Sequence, residues 1–268
     1  MGGGASAINS NFHAGGTLGP IDVLDDANGA AGILNAHFRG DAGMGAVNVV
    51  VDGQNVYTGA SSATPTTFTT GIKGAFFTTG GNMGAIQVAL GVATNTAIDT
   101  TVFAASGSLG KITVTGNVNK AKFLAGVDLG TDLTFGGAGT AQDTFFDGTS
   151  IGNILITGQL LGSDIAASIN PGGDGKYGTG AGGNADANVG PLGGTIGTVS
   201  LQTGSVFNGT LQAYTSAGET NGIEAKVIGT VVLGSQALAV AVATPGSEID
   251  WAGNGFNAGV DIAVRQIP

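Results

Sequence analysis

A loop rich in oxygen-bearing side chains is the stretch of this sequence best suited to binding a ligand. It reads PGGDGKYGTGAGGNADANVG (171–190) and contains Asp174, Asn184 and Asp186. Carboxylate and amide oxygens are the ligands that Ca²⁺ prefers. The loop departs from a calcium-binding nonapeptide repeat, because Tyr177 stands where an Asp is expected. The loop therefore has two interpretations: a solvated surface loop, which this departure favours, and a Ca²⁺ site at Asp174, Asn184 and Asp186.

A second acidic stretch, DVLDDANG (22–29), resembles a fragment of a calcium-binding loop. It has no Glu at the twelfth position, where the bidentate ligand of such a loop stands. Short Asp and Asn side chains also bond to backbone amides in turns. The pattern therefore favours an Asx-rich turn.

Histidines and basic residues do not form a catalytic pattern. His13 and His37 are the only histidines and share no motif spacing, which favours two exposed strand residues over a metal or proton-transfer pair. A polysaccharide lyase needs a base to abstract a proton, further cations for substrate carboxylates and an Asp cluster for Ca²⁺. Only Lys111, Lys120 and Lys122 lie close together in sequence. We expect no enzymatic activity.

The composition limits the classes of partner. The 268-residue chain has a net charge of −10, so a nucleic-acid partner is not expected. It has no cysteine, which excludes disulfides and thiolate chemistry, and no apolar run of about 18 residues that would predict a membrane span. The start, MGGGASAINSNF, is not a secretory signal pattern, so we expect a removed signal or another export route.

A repeated pattern is the strongest feature of the sequence. Each copy has a large apolar residue, a Gly, a spacer and then apolar residues two positions apart. The copies are MGAVNVVVDG (44–53), MGAIQVALG (83–91), LGKITVTG (109–116), IGNILITG (151–158), IGTVSLQTG (196–204) and IGTVVLG (228–234). The segment 112–128 also aligns without a gap with 154–170. Such repeats predict units that bury their apolar residues only by stacking.

Stacking predicts an all-β fold, a right-handed parallel β-helix (β-solenoid), over residues 106–268. Inward columns of like residues are expected at Ile112, Val114, Ile154, Ile156, Val199, Leu201, Val231 and Leu233. Glycines are expected at corners that need positive φ. Variable loops are expected over 130–150, 171–195 and 217–226.

The N-terminal part matches the repeat less well. We expect a flexible or donated arm over 1–20 and an irregular β portion or cap over 21–105. An Asp-Gly pair in NVVVDGQNVY (48–57) indicates a hairpin there. An antiparallel sandwich is the alternative for this region, whereas a propeller is disfavoured by the uneven repeat spacing and the single Trp.

A resemblance adds to these predictions. The segments LGKITVTGNVNKAKFLAGVD (109–128) and INPGGDGKYGTG (169–180) resemble β-helix repeat regions of very large secreted cell-surface proteins of planctomycetes and other environmental bacteria. The resemblance covers roughly 105–268 and implies an extracellular or cell-surface setting without catalysis. The loop departs from that pattern after its Gly-Thr, where paired acidic residues are expected and GAGGNADANVG stands instead.

Two classes of function remain open. The first is a structural protein that self-assembles head-to-tail into a filament, sheath or surface layer, because a stacked fold without caps leaves strand edges at its ends. The second is a calcium- or glycan-binding adhesin or stalk module whose partner is a surface polysaccharide. A lyase-like enzyme and an ice-binding protein are weaker readings, since the sequence lacks both a lyase pattern and a regular Thr-x-Thr ladder.

Overall fold

The structure is a computed structural model that describes residues 7–25, 31–51, 70–90, 96–135, 142–172, 175, 177, 186–201, 221–233, 236–239, 248–250 and 262–266. Within these residues the fold is all-β, without an α-helix, and most strands pair in parallel. The arrangement is consistent with a β-solenoid-like fold, as the sequence predicts.

The chain passes through four sheets in a fixed order and then returns to the first; one such passage is called a circuit here. Four short strands form each of the first three circuits. The first contains β1 (Ala7–Ile8), β2 (Asn11–Ala14), β3 (Thr17–Leu18) and β4 (Ile21–Asp25). The second contains β5 (Ala31–Leu34), β6 (His37–Gly40), β7 (Gly43–Met44) and β8 (Val47–Val51). The third contains β9 (Thr70–Lys73), β10 (Phe76–Thr79), β11 (Asn82–Met83) and β12 (Ile86–Leu90).

Later circuits keep this order and gain antiparallel additions. The fourth contains β13 (Thr96–Asp99), β14 (Val102–Ala105) and β15 (Ile112–Thr115). The fifth contains β16 (Asn117–Asn119), β17 (Lys122–Ala125), β18 (Val127–Asp128), β19 (Thr144–Phe145), β20 (Ser150–Ile151) and β21 (Ile154–Ile156). The sixth contains β22 (Leu160–Leu161), β23 (Asp164–Ala167), β24 (Ile169–Asn170), β25 (Ala187–Asn188), β26 (Thr195–Ile196) and β27 (Val199–Leu201). The last strands are β28 (Asn221–Ala225), β29 (Val227–Ile228), β30 (Thr230–Leu233), β31 (Gln236–Ala239), β32 (Glu248–Asp250) and β33 (Ile262–Gln266).

Strands at the same step of successive circuits form the sheets. The first sheet has the order β1-β5-β9-β13-β16-β22. The second has the order β2-β6-β10-β14-β17-β23-β28-β33-β32. The third consists of β3-β7-β11 and β20-β26-β29, connected through single bridges at Leu109. The fourth has the order β4-β8-β12-β15-β21-β27-β30-β31.

The predicted columns of aliphatic residues are present in the fourth sheet. Ile112 pairs with Ile154, and Ile154 pairs with Val199 on the next strand. Their side chains are at most 1% exposed. Because side chains alternate along a strand, the residues between them point away from the core. The stacking of repeats that the sequence predicts is therefore confirmed at these positions.

A column of glycines follows the apolar residues of the third sheet. The column consists of Gly45, Gly84, Gly110, Gly152, Gly197 and Gly229. We expected positive φ at such glycines, and none of these six has it. A Cβ on Gly110 would instead lie 2.8 Å from the carbonyl carbon of Gly84, in the preceding circuit. Glycine is required here because two backbones approach closely.

Positive φ occurs instead at the corner between the first and second sheets. The residue that follows the first-sheet strand has φ between 48° and 63° wherever that torsion is given, at Asn9, Asn35, Gly74, Thr100, Lys120 and Gly162. This left-handed conformation disfavours side chains other than Asn and Gly. The same corner is thus repeated in the first six circuits, even where Thr100 and Lys120 occupy it.

Phenylalanine side chains form a stack inside the second sheet. Phe12, Phe38, Phe77, Phe103 and Phe123 occupy one register position on successive strands. Their ring centroids are 4.7, 5.0, 4.7 and 5.2 Å apart, with interplanar angles of at most 8°. Each stacked pair contributes about 0.5–1.5 kcal/mol beyond the burial of its surface.

Two parts of the chain differ from the sequence-based expectation. Described strands between residues 21 and 105 pair in the same parallel register as later ones; for example, Ile21 pairs with Val47. These strands do not show the irregular portion that we expected there. LGPIDV (18–23) is an additional copy of the repeat, which is hard to recognise in the sequence because Pro20 and Asp22 interrupt its pattern. The segment 221–225, expected as a loop, is strand β28. The predicted hairpin turn at 52–57 lies outside the described residues.

A matched pair of substitutions tests the close approach of circuits. Gly110→Ala places a methyl group 2.8 Å from the Ala85 nitrogen and should lower the free energy of unfolding by about 1–3 kcal/mol. Gly19 holds the same repeat position in the first circuit, and its Cβ would meet nothing within 4 Å. Gly19→Ala should change that free energy by less than about 0.5 kcal/mol. Urea unfolding followed by circular dichroism measures both, and equal effects would contradict the stacking.

Candidate functional site

The sequence-predicted Ca²⁺ ligands are only partly described by the structure. Asp186 directly precedes β25 and is half-buried. Asp174 and Asn184 lie outside the described residues, so the calcium site stays a prediction. Among the residues that are described, no three His, Asp or Glu side chains are grouped so that they could hold a metal ion.

Asp186 belongs to an insertion that covers the outside of the second sheet. The first insertion (126–149) contains the antiparallel pair β18–β19, and the second (168–194) contains the pair β24–β25. Both leave the chain after a second-sheet strand and return to the third sheet. Their positions agree with the variable loops expected over 130–150 and 171–195.

An apolar surface beneath the insertions explains why they pack there. Outward positions of β14, β17 and β23 carry Ala104, Leu124 and Ala166 rather than polar residues. These side chains are at most 1% exposed. They form a second core, here named the outer cluster, which consists of Ala104, Leu124, Val127, Leu129, Ala166, Ile169 and Tyr177, with Val102, Phe135 and Phe145 packed against it.

An ion pair lies within the outer cluster. Lys122 on β17 and Asp164 on β23 are register partners, and Lys122 Nζ lies 2.6 Å from Asp164 Oδ2. Their side chains are 32% and 14% exposed. Lys122 Nζ also lies 5.3 Å from the centroid of the Phe135 ring and 5.8 Å from that of Tyr177. The ammonium group is thus held between a carboxylate and two aromatic rings.

Tyr177 connects this ion pair with further acidic residues. Its side chain is buried, and its hydroxyl donates a long hydrogen bond of 3.5 Å to the Ile169 carbonyl. Burial raises the pKa of Tyr177 well above its usual value, and nearby carboxylates add to the effect. These carboxylates are Asp164, Glu224, Asp186 and Asp143.

Glu224 is the most enclosed of these acids. It lies on β28 at the register position of Ala166, so it faces outward like the rest of the cluster, and its side chain is 0% exposed. Gly222, two residues before Glu224 on the same strand, is the register partner of Asp164. Lys122, Asp164 and Glu224 therefore lie on the outward face of three neighbouring strands, and the side chain of Glu224 is fully buried.

The sequence contained a signal for the ion pair that motif analysis did not use. The gap-free alignment of 112–128 with 154–170 places Lys122 directly opposite Asp164. Glu224, Phe135 and Tyr177 come from segments of different length, so no alignment of the repeats places them together.

Backbone contacts connect the two insertions. Asp147 accepts hydrogen bonds from the backbone amides of Leu192 (3.1 Å) and Gly193 (2.6 Å). Lys226 donates a hydrogen bond to the Pro191 carbonyl. The end of the second insertion, which contains Asp186 earlier in its chain, is thereby held to the first insertion by Asp147 and to the residue after β28 by Lys226.

The two histidines lie near the N-terminal end and form no joint site. His13 Nε2 lies 2.9 Å from Asp41 Oδ1, and Arg39 Nε donates to the same oxygen at 3.0 Å. Hydrogen bonds from His13 and Arg39 lower the pKa of Asp41. His37 Nε2 lies 2.9 Å from Thr78 Oγ1, and burial, with Arg39 and His13 nearby, lowers its pKa.

The first circuit forms an end surface, here named the open end, which consists of β1–β4. Each of these strands is the last of its sheet, so within the described chain one edge of each has no strand beside it. Phe12, the end of the phenylalanine stack, is 43% exposed. Leu18, Ile21 and Val23 pack on the core but are only partly buried.

The opposite end differs in strand direction. The fourth sheet ends on β31, which is antiparallel to β30, and the second ends on β32, which is antiparallel to β33. The third sheet ends on β29, which continues the parallel order through Ile228 and Gly229. This end is therefore only partly like the circuits before it.

Comparison with models of protein families, with curated proteins and with solved structures gave no match to this chain. In the described part of the chain, no helix has the length and apolar character needed to cross a membrane.

The contact between insertions gives a prediction for Asp147. Asp147→Ala removes the acceptor of the Leu192 and Gly193 amides, which costs about 1–3 kcal/mol of local stability. Hydrogen exchange of these two amides should then become about tenfold faster or more. Asp132→Ala is the control, because the bond that Asp132 accepts within the described residues is a local one, from the Thr134 amide. Unchanged exchange in Asp147→Ala would contradict the assigned role.

Proposed function

We propose that this chain is a non-enzymatic, extracellular structural protein, folded as a right-handed parallel β-helix, that assembles with copies of itself into filaments. The right hand follows from the rule for parallel crossover connections. The extracellular or cell-surface setting follows from the resemblance of residues 105–268 to secreted repeat proteins and agrees with the absence of cysteine.

The observation that supports assembly best is the open end. Edge strands with free N–H and C=O groups attract further strands unless they are covered. The exposed Phe12 ring offers a flat apolar face that a further side chain can stack on. Burial of apolar area of this kind contributes about 25 cal/mol per Å².

A second copy fits the open end because a strand edge is also uncovered at the other end of the described chain. The fourth sheet ends there on β31, which lies antiparallel to β30. Strand β4 of one copy can therefore pair with the edge of β31 of the next in the antiparallel sense. Gly19, two residues before β4, then lies at this contact. A head-to-tail contact of this type does not close and produces a filament.

Assembly is tested with the Gly19→Ala variant. The wild-type protein should form rods that lengthen with concentration in sedimentation velocity and negative-stain microscopy. Gly19→Ala should weaken association tenfold or more while preserving the fold, because the added methyl group occupies space that the stacked backbone needs. Leu192, which is 72% exposed on the second insertion, provides the control Leu192→Ala, expected to assemble like wild type.

Three results would contradict the proposal. The first is a wild-type protein that stays monomeric across concentration, salt and Ca²⁺. The second is a Gly19→Ala variant that assembles as well as wild type. The third, association that stops at two copies, would retain the open end as an interface but contradict a filament.

A calcium- or glycan-binding adhesin or stalk module is the second candidate. The observation that favours it is Asp186, which directly precedes β25 and whose charge, like that of Asp143, acts on Tyr177 of the outer cluster. In this function the insertions hold Ca²⁺ or a surface polysaccharide, and the stacked circuits serve as a support.

Removal of metal distinguishes the two candidates. A purely packed structural protein should unfold at the same temperature with and without a chelator, because no folding energy comes from a bound ion. The measurement is a thermal unfolding curve of protein purified in Ca²⁺, before and after addition of EDTA, with Mg²⁺ as the control ion. A lower unfolding temperature in EDTA that Ca²⁺ restores would favour the second candidate.

A further inference from the structure

The outer cluster places an amine and a carboxyl group in contact in surroundings that favour a reaction between them. Lys122 Nζ and Asp164 Oδ2 are 2.6 Å apart on directly paired strands. An amine in hydrogen-bond contact with a carboxylate oxygen lies close to the carboxyl carbon, as a near-attack conformer requires. The backbone register keeps the two residues adjacent, so the reaction is unimolecular.

Apolar groups lie on one side of the pair. The ring centroids of Phe135 and Tyr177 are 5.3 and 5.8 Å from Lys122 Nζ, and the Asp164 side chain is 14% exposed. These rings exclude water from that side of the reacting atoms, which favours a reaction that releases water. A neutral amine is the nucleophilic form that amide formation needs.

A proton acceptor is present on the neighbouring strand. Glu224 faces the same cluster, and its side chain is 0% exposed. It stands two residues after Gly222, the register partner of Asp164. Its charge and that of Asp164 both raise the pKa of Tyr177. General acid–base help of this kind accelerates proton transfer by about 10²–10⁴-fold.

We propose that Lys122 and Asp164 form an intramolecular amide bond, assisted by Glu224. A proton first passes from Lys122 Nζ to the Asp164 carboxylate, which gives a neutral amine and a carboxylic acid. The nitrogen lone pair then attacks Asp164 Cγ, and the Nζ–Cγ bond forms. Glu224 takes a proton from the nitrogen and returns it to the departing hydroxyl, and the Cγ–O bond breaks to release one water molecule. No atom changes oxidation state, and no other reactant is consumed.

The bond would connect the fifth and sixth circuits covalently, at the strands from which both insertions leave. Lys122 and Asp164 are 42 residues apart in sequence. A cross-link over a loop of this length restricts the unfolded chain, as a disulfide does. The chain has no cysteine, so a disulfide cannot serve this purpose. This inference does not depend on filament formation.

Mass spectrometry of the purified, denatured full-length chain tests the bond. The wild-type mass should be lower than the sequence mass by one water molecule. A tryptic digest should lack cleavage after Lys122 and contain a branched peptide that joins the segments with Lys122 and Asp164. Lys122→Arg keeps the positive charge but should show the full sequence mass, and Lys111→Arg, at an exposed lysine, should still lose water.

The remaining variants separate the proposed roles. Glu224→Gln keeps Lys122 and Asp164 and should accumulate as uncross-linked protein, with circular dichroism used to show that it folds. Lys122→Arg should also unfold at a temperature several degrees lower than Lys111→Arg, because it lacks the cross-link. A wild-type chain with the full sequence mass overturns the proposal. So does water loss that persists in Lys122→Arg, because that result would indicate cyclisation at an Asp-Gly bond instead.

Discussion

Parallel backbone pairing between successive circuits is the constraint on which the rest of the structure depends. Hydrogen-bonded strands lie about 4.8 Å apart, so each residue contacts the equivalent residue of the circuits on both sides. Any repeat position must then accept its own kind as a neighbour. Phenylalanine rings at this spacing can stack, aliphatic side chains can interdigitate, and glycines permit the closest backbone contact.

Columns of like side chains that satisfy this constraint can be recognised in the sequence from the type of side chain alone. The column of Ile112, Ile154 and Val199 could be predicted directly, because an apolar residue is repeated at a fixed distance from a glycine. The reason why a glycine stands there could not be predicted from the sequence. Close backbone contact and positive φ both require Gly, and the structure shows that Gly110 is needed for close contact.

Other features were hidden because their residues vary. The left-handed corner holds Asn9 in one circuit and Lys120 in another, so no residue type marks it. Copies before residue 44 escaped detection for a similar reason, since Pro20 and Asp22 interrupt an otherwise regular strand pattern. The outer cluster combines segments from different circuits and from both insertions, and contacts of this kind depend on tertiary packing.

The same constraint explains the two surfaces that we connect with function. Within the described residues, no strand covers the edges and apolar side chains of the first circuit, whose equivalents in later circuits are buried. Outward positions are free to vary, and where they become apolar, insertions cover them and enclose Lys122, Asp164 and Glu224. The open end and the outer cluster thus differ in their surfaces, although the same repeat forms both.

Distances between spin labels on the fourth sheet test the stacking most directly, since the chain has no native cysteine to interfere. Asp22, Asn48, Gln87, Thr113, Leu155 and Ser200 occupy one outward register position on successive strands. Cysteine pairs at 22/155 and 48/200 each span four steps and should give the same distance, about 19 Å before the label linkers are added. The pair 22/200 should be longer by one strand spacing. Distances that follow sequence separation instead of the number of steps would contradict the account.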